Sequence, residues 1–312
     1  MFRLKLIPDN PSFIFLNYFK FGFIFSAVLI VLSISSFLFQ GLNLGIDFKG
    51  GTLIEAKSKS GKADVQQLRN KLQGNSFGEV SIQLFGGEDE VLIRIQKQEG
   101  DEQAQIKVIK EVNSLISDKY TVRRTEFVGP TIGAELTQKG ILAVITALIA
   151  IMIYIWFRFE WQYSIAAILA LSHDVVSTIG FFAVTSFEFN LATIAAILTI
   201  SGYSINDTVV VFDRIRENFR RYKSWKQNDI INKSLNETLS RTVMTSLTTA
   251  LALIAIIVFG GPVLRDFSAA MLWGVFIGTY SSIFIAAGVL TYVSLNRGED
   301  DNGNVSKPEF EQ

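Results

Sequence analysis

Asp207 is the residue of this chain with the clearest capacity for chemistry. It stands in Ser201-Gly202-Tyr203-Ser204-Ile205-Asn206-Asp207-Thr208, inside an apolar run over 190–212. At 1.5 Å per helical residue it lies roughly 8 Å from the middle of that run. A carboxylate at such a depth in a bilayer costs on the order of 2.5–3.5 kcal/mol unless it is paired or protonated. Arg241 opens the following apolar run, which returns antiparallel from the same side, so the two side chains fall at similar depth. A buried carboxylate balanced between desolvation and a movable cation is a proton-binding site. The same pair also reads as a static salt bridge between packed helices.

His173 and Asp174 fall near the middle of another apolar run, 162–184. Neighbours in a helix point about 100° apart, so they cannot both face one partner. Two readings are open: a second proton site, or a packing hydrogen bond to Asn206 or Tyr203. Asp213, beside Arg214 and Arg216, reads as a solvated interfacial charge or as an outer member of a relay.

Other chemistries lack their residues. There is no cysteine and a single histidine, so neither thiolate chemistry nor a His-rich metal site has material, and no metal or other cofactor is expected. No GxxxxGK[ST] or HExxH occurs, and the single histidine lies in no such pattern, so an enzyme is not expected. An intramembrane aspartyl protease would need Asp174 and Asp207 as a facing pair. With 29 basic and 29 acidic residues the net charge is zero, which offers nucleic acid nothing.

The elements that position these residues are membrane helices. Half the chain (49%) is hydrophobic and only 19% is charged, against about a quarter for a soluble domain. Six charge-poor runs have the roughly 20 residues a bilayer crossing needs, at 21–40, 138–157, 162–184, 190–212, 240–260 and 267–293. The first is too long for a signal h-region and reads as an uncleaved anchor. Lys and Arg crowd the 213–239 connection, as Arg214, Arg216, Arg220, Arg221, Lys223, Lys226 and Lys233. The positive-inside rule therefore puts both termini, 1–20 and 294–312, in the cytoplasm and 41–137 outside. Interleaved with Phe219, Tyr222 and Trp225, the basic stretch 214–226 reads as an amphipathic helix on the anionic inner leaflet. The tail from 294 is polar and expected to be disordered.

The segment 41–137 has its own pattern. Strands are predicted at 52–58, 79–85, 90–96 and 120–128, with helices at 62–73 and 101–117. Gly86-Gly87 marks a hairpin turn, and Val91, Ile93 and Ile95 alternate with Leu92, Arg94 and Gln96. The order βαββαβ is that of a ferredoxin-like split fold. The predicted architecture is thus an all-α six-helix membrane bundle carrying one inserted, small α/β domain. Small residues at Ala195, Thr199, Gly202 and Asn206, and the pair Gly274 and Gly278 extended by Ser282, are expected at helix contacts.

Gly45-Ile46-Asp47-Phe48-Lys49-Gly50-Gly51 follows the first run, and Val128-Gly129-Pro130 precedes the second. With His173-Asp174-Val175 and the stretch SGYSINDTVVVFDRIREN over 201–218, these closely resemble the SecF family of bacterial protein-export subunits. The likeness extends over about residues 15–295. It implies half of a pseudo-symmetric bundle pair of the resistance-nodulation-division type, with SecD as obligate partner. It implies further a role beside the SecYEG translocon, with YajC and SecA as indirect partners and unfolded preprotein as substrate, driven by the proton gradient across the bacterial cytoplasmic membrane. Asp207 and Arg241 match the family's proton-pathway positions, with His173, Asp174, Asn206 and Asp213 as secondary candidates. Gly45, Asp47, Gly50, Gly51, Gly129 and Pro130 bracket the inserted domain, as couplers of helix motion or as fixed turns. A purely structural assembly subunit and an exporter of small amphiphiles are the rival readings.

Overall fold

The computed structural model describes residues 11–73, 77–78, 80–96, 102–260 and 262–295. After a short 3-10 turn, α1 (Phe19–Gln40) leads through the one-turn helix α2 (Ile46–Lys49) into β1 (Gly51–Ser58), α3 (Val65–Gln73), β2 (Val80–Phe85), β3 (Gly87–Ile95), α4 (Glu102–Ile116) and β4 (Tyr120–Val128). Then follow α5 (Pro130–Arg158), α6 (Trp161–Thr185), α7 (Leu191–Arg221), α8 (Gln227–Phe259) and α9 (Pro262–Ser281). A π turn (Ser282–Ala286) and α10 (Ala287–Leu290) end the sixth hydrophobic stretch. Six of these helical stretches are long and apolar enough to cross a membrane. The residues at 296–312, where the polar tail is expected, lie outside the described residues, as do 1–10.

The sheet has the order β2-β3-β1-β4 with every pair antiparallel, the arrangement expected of the βαββαβ pattern. Alternation assigns its faces. Ile54, Val91, Ile93 and Ile95 point into a core closed by Leu68 and Leu72 of α3 and Val112 and Ile116 of α4. Leu53 and Leu92, on the opposite face, pack on Ile46 of α2, where the domain meets the helices. Gly86, at φ 81°, makes the hairpin between β2 and β3.

The helices divide into inner and outer ones. Over their most apolar windows α6, α7 and α9 are 56, 50 and 56% buried within the chain, whereas the stretches of α1, α5 and α8 are 17, 11 and 22% buried. Gly274 and Gly278 let α9 approach α7 closely: a Cβ at Gly278 would stand 2.9 Å from the Ser204 Cβ, and one at Gly274 would overlap Ile200. The other small-residue stripe does not behave as expected. Ala195, Thr199, Gly202 and Asn206 are all exposed, and nothing lies within 4 Å of the position a Gly202 Cβ would take.

The 213–239 segment, expected as the basic cytoplasmic loop between two spans, is mostly helix. Helix α7 continues to Arg221 and α8 already begins at Gln227, leaving a short turn between them. Hydropathy marks only where the apolar stretch stops, while the helix runs on because polar side chains hold it. Arg214 bonds Glu217 and Glu237, Lys233 bonds Glu237, and Asn218 donates to Ser234 and Glu237. Phe219 and Tyr222 are buried against their own chain, so no separate amphipathic helix offers them to a lipid surface. The segment ahead of α1 is pinned here too, its Phe13 and Phe15 N–H groups donating to Asn236 and Asn232 of α8.

Candidate functional site in the membrane helices

Asp207 lies in the middle of α7 and is only 4% exposed. Its Oδ2 is buried without a hydrogen-bond partner. Arg241, on α8, is the cation whose field acts on it, yet no ion pair within 4.0 Å joins the two. The Arg241 side chain is exposed on the outer surface of this single chain. The arrangement is a carboxylate with an open oxygen and a basic partner held nearby rather than clamped, so it is not the static salt bridge of the simpler reading.

Asp174 is fully buried at the centre of the bundle, and three helices converge on it. The hydroxyls of Ser204 on α7 and Ser281 on α9 both donate to its Oδ2, at 2.5 and 2.7 Å. His173 Nδ1 stands 3.0 Å from its Oδ1. The expected bonds to Asn206 or Tyr203 are absent: Asn206 is exposed on another face, and the buried Tyr203 hydroxyl has no partner. Helical phase explains the substitution, since Ser204 sits three residues before Asp207 and shares its inward face, while Asn206 is about 100° away. Asp174 and Asp207 do not bond to each other as a protease pair would. Hydroxyls lie between the helices that carry them, with Thr208 Oγ1 2.9 Å from Ser282 Oγ and Ser282 reaching the Ser204 carbonyl at 3.4 Å.

Asp213 lies apart from this group, paired at 3.0 Å with Arg158 at the end of α5 in a partly exposed position. Surface pairs of this kind contribute little to stability.

The glycine motifs form one junction at the base of the α/β domain. Gly51 opens β1 and pairs with Val128, the last residue of β4, so the chain enters and leaves the domain on adjacent strands. Gly50 and Gly51 have φ of 71° and 127°, in the region glycine tolerates. Gly129 caps α5 and Pro130 opens it, where its missing N–H costs nothing. One turn on, a Cβ at Gly133 would stand 3.2 Å from the Gly50 nitrogen and the Phe48 carbonyl oxygen, so entry and return are in direct contact. Asp47 Oδ2 accepts from the Leu191 N–H at 2.9 Å and holds the first turn of α7. Gly45 donates its N–H to the Phe189 carbonyl at 2.8 Å, and a Cβ there would press on Glu188 and Asn190.

Glu188 and Arg94 were not singled out in the sequence, yet they span the same junction. Arg94 of β3 is ion-paired with Glu188 in the α6–α7 turn, both side chains largely buried. The Glu188 N–H donates to Asp266 Oδ2 at the start of α9. Arg94 was legible only as the charge interrupting an apolar strand, and Glu188 as the acid in a turn without Lys or Arg.

The chain matches the family model for protein export membrane protein SecD/SecF, C-terminal, over residues 107–296, and the SecD/SecF GG motif over residues 35–61. It is 44% identical over 296 residues to protein translocase subunit SecF of Rickettsia rickettsii, covering 93% of this chain and 95% of that one. With SecF of Rhodobacter capsulatus it shares 42% over 314 residues, covering 96% and 94%. The fold is similar to the crystal structure of SecDF, a translocon-associated membrane protein from Thermus thermophilus, with TM-score 0.81 and 37% identity. That likeness covers 90% of this chain but 38% of the solved one, so the chain spans about two fifths of that protein. Against SecDF in its super-membrane-facing form the TM-score is 0.68, at 36% identity, covering 93% and 40%.

Proposed function

The chain belongs to the SecF family of protein translocase subunits, and from that premise we propose that it uses the proton gradient, together with SecD, to promote preprotein export. Asp207 is the proton-binding carboxylate and Arg241 the cation that responds to its charge. The observation that carries this reading is the buried Asp207 oxygen left without a partner beside an unclamped arginine. One charge crossing 100 mV releases about 2.3 kcal/mol, enough to bias a two-state motion of a domain. Helix α7 is the transmitting element, because Asp47 grips its Leu191 end and Asp207 lies 16 residues along it, about 24 Å away.

SecD is the partner this reading requires. An exposed arginine is costly against lipid, and an exposed stripe of Ala195, Thr199, Gly202 and Asn206 suits a second helix bundle packed closely on it. The excess of Lys and Arg at the end opposite the α/β domain supports cytoplasmic termini, with segments 1–20, 213–239 and 294–312 inside and 41–137 outside the bacterial inner membrane. The substrate is unfolded preprotein leaving SecYEG; SecA and YajC act indirectly. No catalytic chemistry is assigned to the chain.

The test is preprotein translocation into inverted vesicles holding this chain, SecD and the translocon, comparing wild type with Asp207→Asn. Asn keeps the volume and hydrogen bonding but cannot titrate. Loss of only the gradient-dependent component, with the complex intact, is the expected result. Unchanged gradient-dependent translocation overturns the proton role and leaves an assembly subunit.

A further inference from the structure

We propose that Asp174 is a second proton-carrying carboxylate of the membrane half, exchanging its proton through the hydroxyls of Ser204 and Ser281 and thereby setting the hydrogen bonding at the join of α9 and the π turn. The inference rests on the proton-driven reading above and extends it to a site one helix away from Asp207.

The surroundings of Asp174 satisfy either charge state without breaking the packing. When it is ionised, Ser204 and Ser281 both donate to Oδ2. When a proton arrives on Oδ2, the acid donates it toward Ser281 Oγ, and the Ser281 hydroxyl turns to the Gly278 carbonyl, 3.1 Å away. The arriving proton forms one O–H bond on Oδ2 and that same bond breaks when it leaves; no other covalent bond changes, and no donor or acceptor is stranded at about 1–3 kcal/mol. A carboxylate serving only as glue between helices needs no such second acceptor.

The charged and titratable groups around it favour exchange over permanent charge. Its own helix supplies His173, whose Nε2 is buried without a partner. Helix α7 supplies Asp207, one turn beyond Ser204. Helix α9 supplies Tyr280, whose hydroxyl donates to the Gly22 carbonyl at 2.6 Å and stands 2.8 Å from Ser26 Oγ. Helix α1 presents the hydroxyls of Ser26 and Ser33, with Lys20 in its first turn, and the charges of α5 are paired at its ends, Glu135 with Lys139 and Arg158 with Asp213. Among the described residues, no Lys or Arg lies within 4.0 Å of Asp174 to hold it ionised.

The consequence falls where α9 gives way to the π turn. Ser281 is the last residue of α9 and Ser282 the first of the π turn, where the backbone departs from α-helical pairing. Single π turns of this kind recur at functional sites. Ser282 is bonded to Thr208, the chain neighbour of Asp207, and Ser281 to Asp174, so the same turn touches the surroundings of both carboxylates.

The experiment uses the vesicles described above with Asp174→Asn and Ser281→Ala, reading gradient-driven translocation against pH and the infrared difference band of protonated carboxyl groups. Asp174→Asn is expected to lower gradient-driven translocation by about tenfold or more and to remove one carboxyl component that survives in Asp207→Asn. Ser281→Ala is expected to lower gradient-driven translocation and displace its pH profile, a displacement a purely structural residue does not produce. If Asp174→Asn keeps the wild-type profile and band while Asp207→Asn abolishes the response, this proposal falls and the proton reading stands. If neither variant alters the response, both fall. If Asp174→Asn does not assemble, an unchanged profile in Ser281→Ala overturns the proposal.

Discussion

Arg94, on the third strand of the α/β domain, is ion-paired with Glu188 in the turn between two membrane helices. The pair joins elements from opposite sides of the junction, and its side chains are 17% and 13% exposed. Ion pairs this enclosed differ from surface ones, because removing one member strands the other in a poorly solvated site. Below it, Asp47 holds the start of α7 and Gly133 rests on the backbone of α2. A shift of α7 would therefore meet the domain at two places, the glycine junction and this ion pair.

Breaking the pair from one side is expected to loosen the domain from the helices without unfolding its sheet. Arg94→Ala should cost on the order of 3 kcal/mol of docking, and Arg94→Ala with Glu188→Ala less than the sum of the two single changes. Hydrogen exchange over β3 and the α6–α7 turn in the assembled complex measures both. Equal exchange in wild type and Arg94→Ala would show that the pair does not hold the domain.

The same junction carries a pH dependence. Burial pushes the Glu188 carboxyl above its ordinary range, Arg94 draws it back, and Asp266 and Asp47 push it further up. A carboxyl raised in the docked state is protonated more readily there than when the domain swings free. Its contribution to docking is therefore present below the ordinary carboxylate pKa and is lost as pH rises through the raised one. Docking should tighten on mild acidification of the domain side, and Glu188→Gln should abolish that response. Hydrogen exchange at two pH values, corrected for intrinsic rates, checks the sign.

Two glycines on helices that face each other differently should separate folding from assembly. Gly278→Val forces a side chain onto Ser204, whose Cα a Cβ would approach to 3.3 Å, and pulls Ser281 from Asp174. A loss of about 1–3 kcal/mol is expected, read as a lower melting temperature of the purified chain. A Cβ at Gly202 meets nothing within 4 Å, so Gly202→Leu should not lower the isolated chain's melting temperature yet should weaken co-purification of SecD.

Gly133→Val should damage transport more than stability. Its side chain has only backbone to push against, at 3.2 Å, so α2 must shift away from α5. The expected outcome is an assembled complex with reduced gradient-driven translocation. A wild-type rate would mean that contact between entry and return is dispensable.

Much of this architecture was legible in the order of residues. Long charge-poor runs can be satisfied in a bilayer only as helices, so six spans followed from length and hydropathy alone. Alternation at Val91, Ile93 and Ile95 gave the strand and its buried face, and Gly86 its turn, because a strand repeats every two residues whatever surrounds it. Asp207 was legible for the same local reason: a carboxylate in an apolar run needs an explanation.

Tertiary structure alone decided what those residues meet. The 213–239 segment lies beyond the apolar runs and is mostly helix, because Glu237, Asn218 and Arg214 bond across the antiparallel pair, contacts that hydropathy does not reveal. Of two similar small-residue stripes, Gly274 and Gly278 are packed, while Ala195, Thr199, Gly202 and Asn206 are bare. Periodicity marks a face but not its neighbour. Asp174 found Ser204 and Ser281 rather than Asn206, and Arg94 found Glu188 94 residues away. Hydrogen bonds and ion pairs act over a few ångströms, so partners distant in sequence are chosen by how helices cross and where a domain lands. Residue type stated that these charges needed partners, and only the packing of the helices named them.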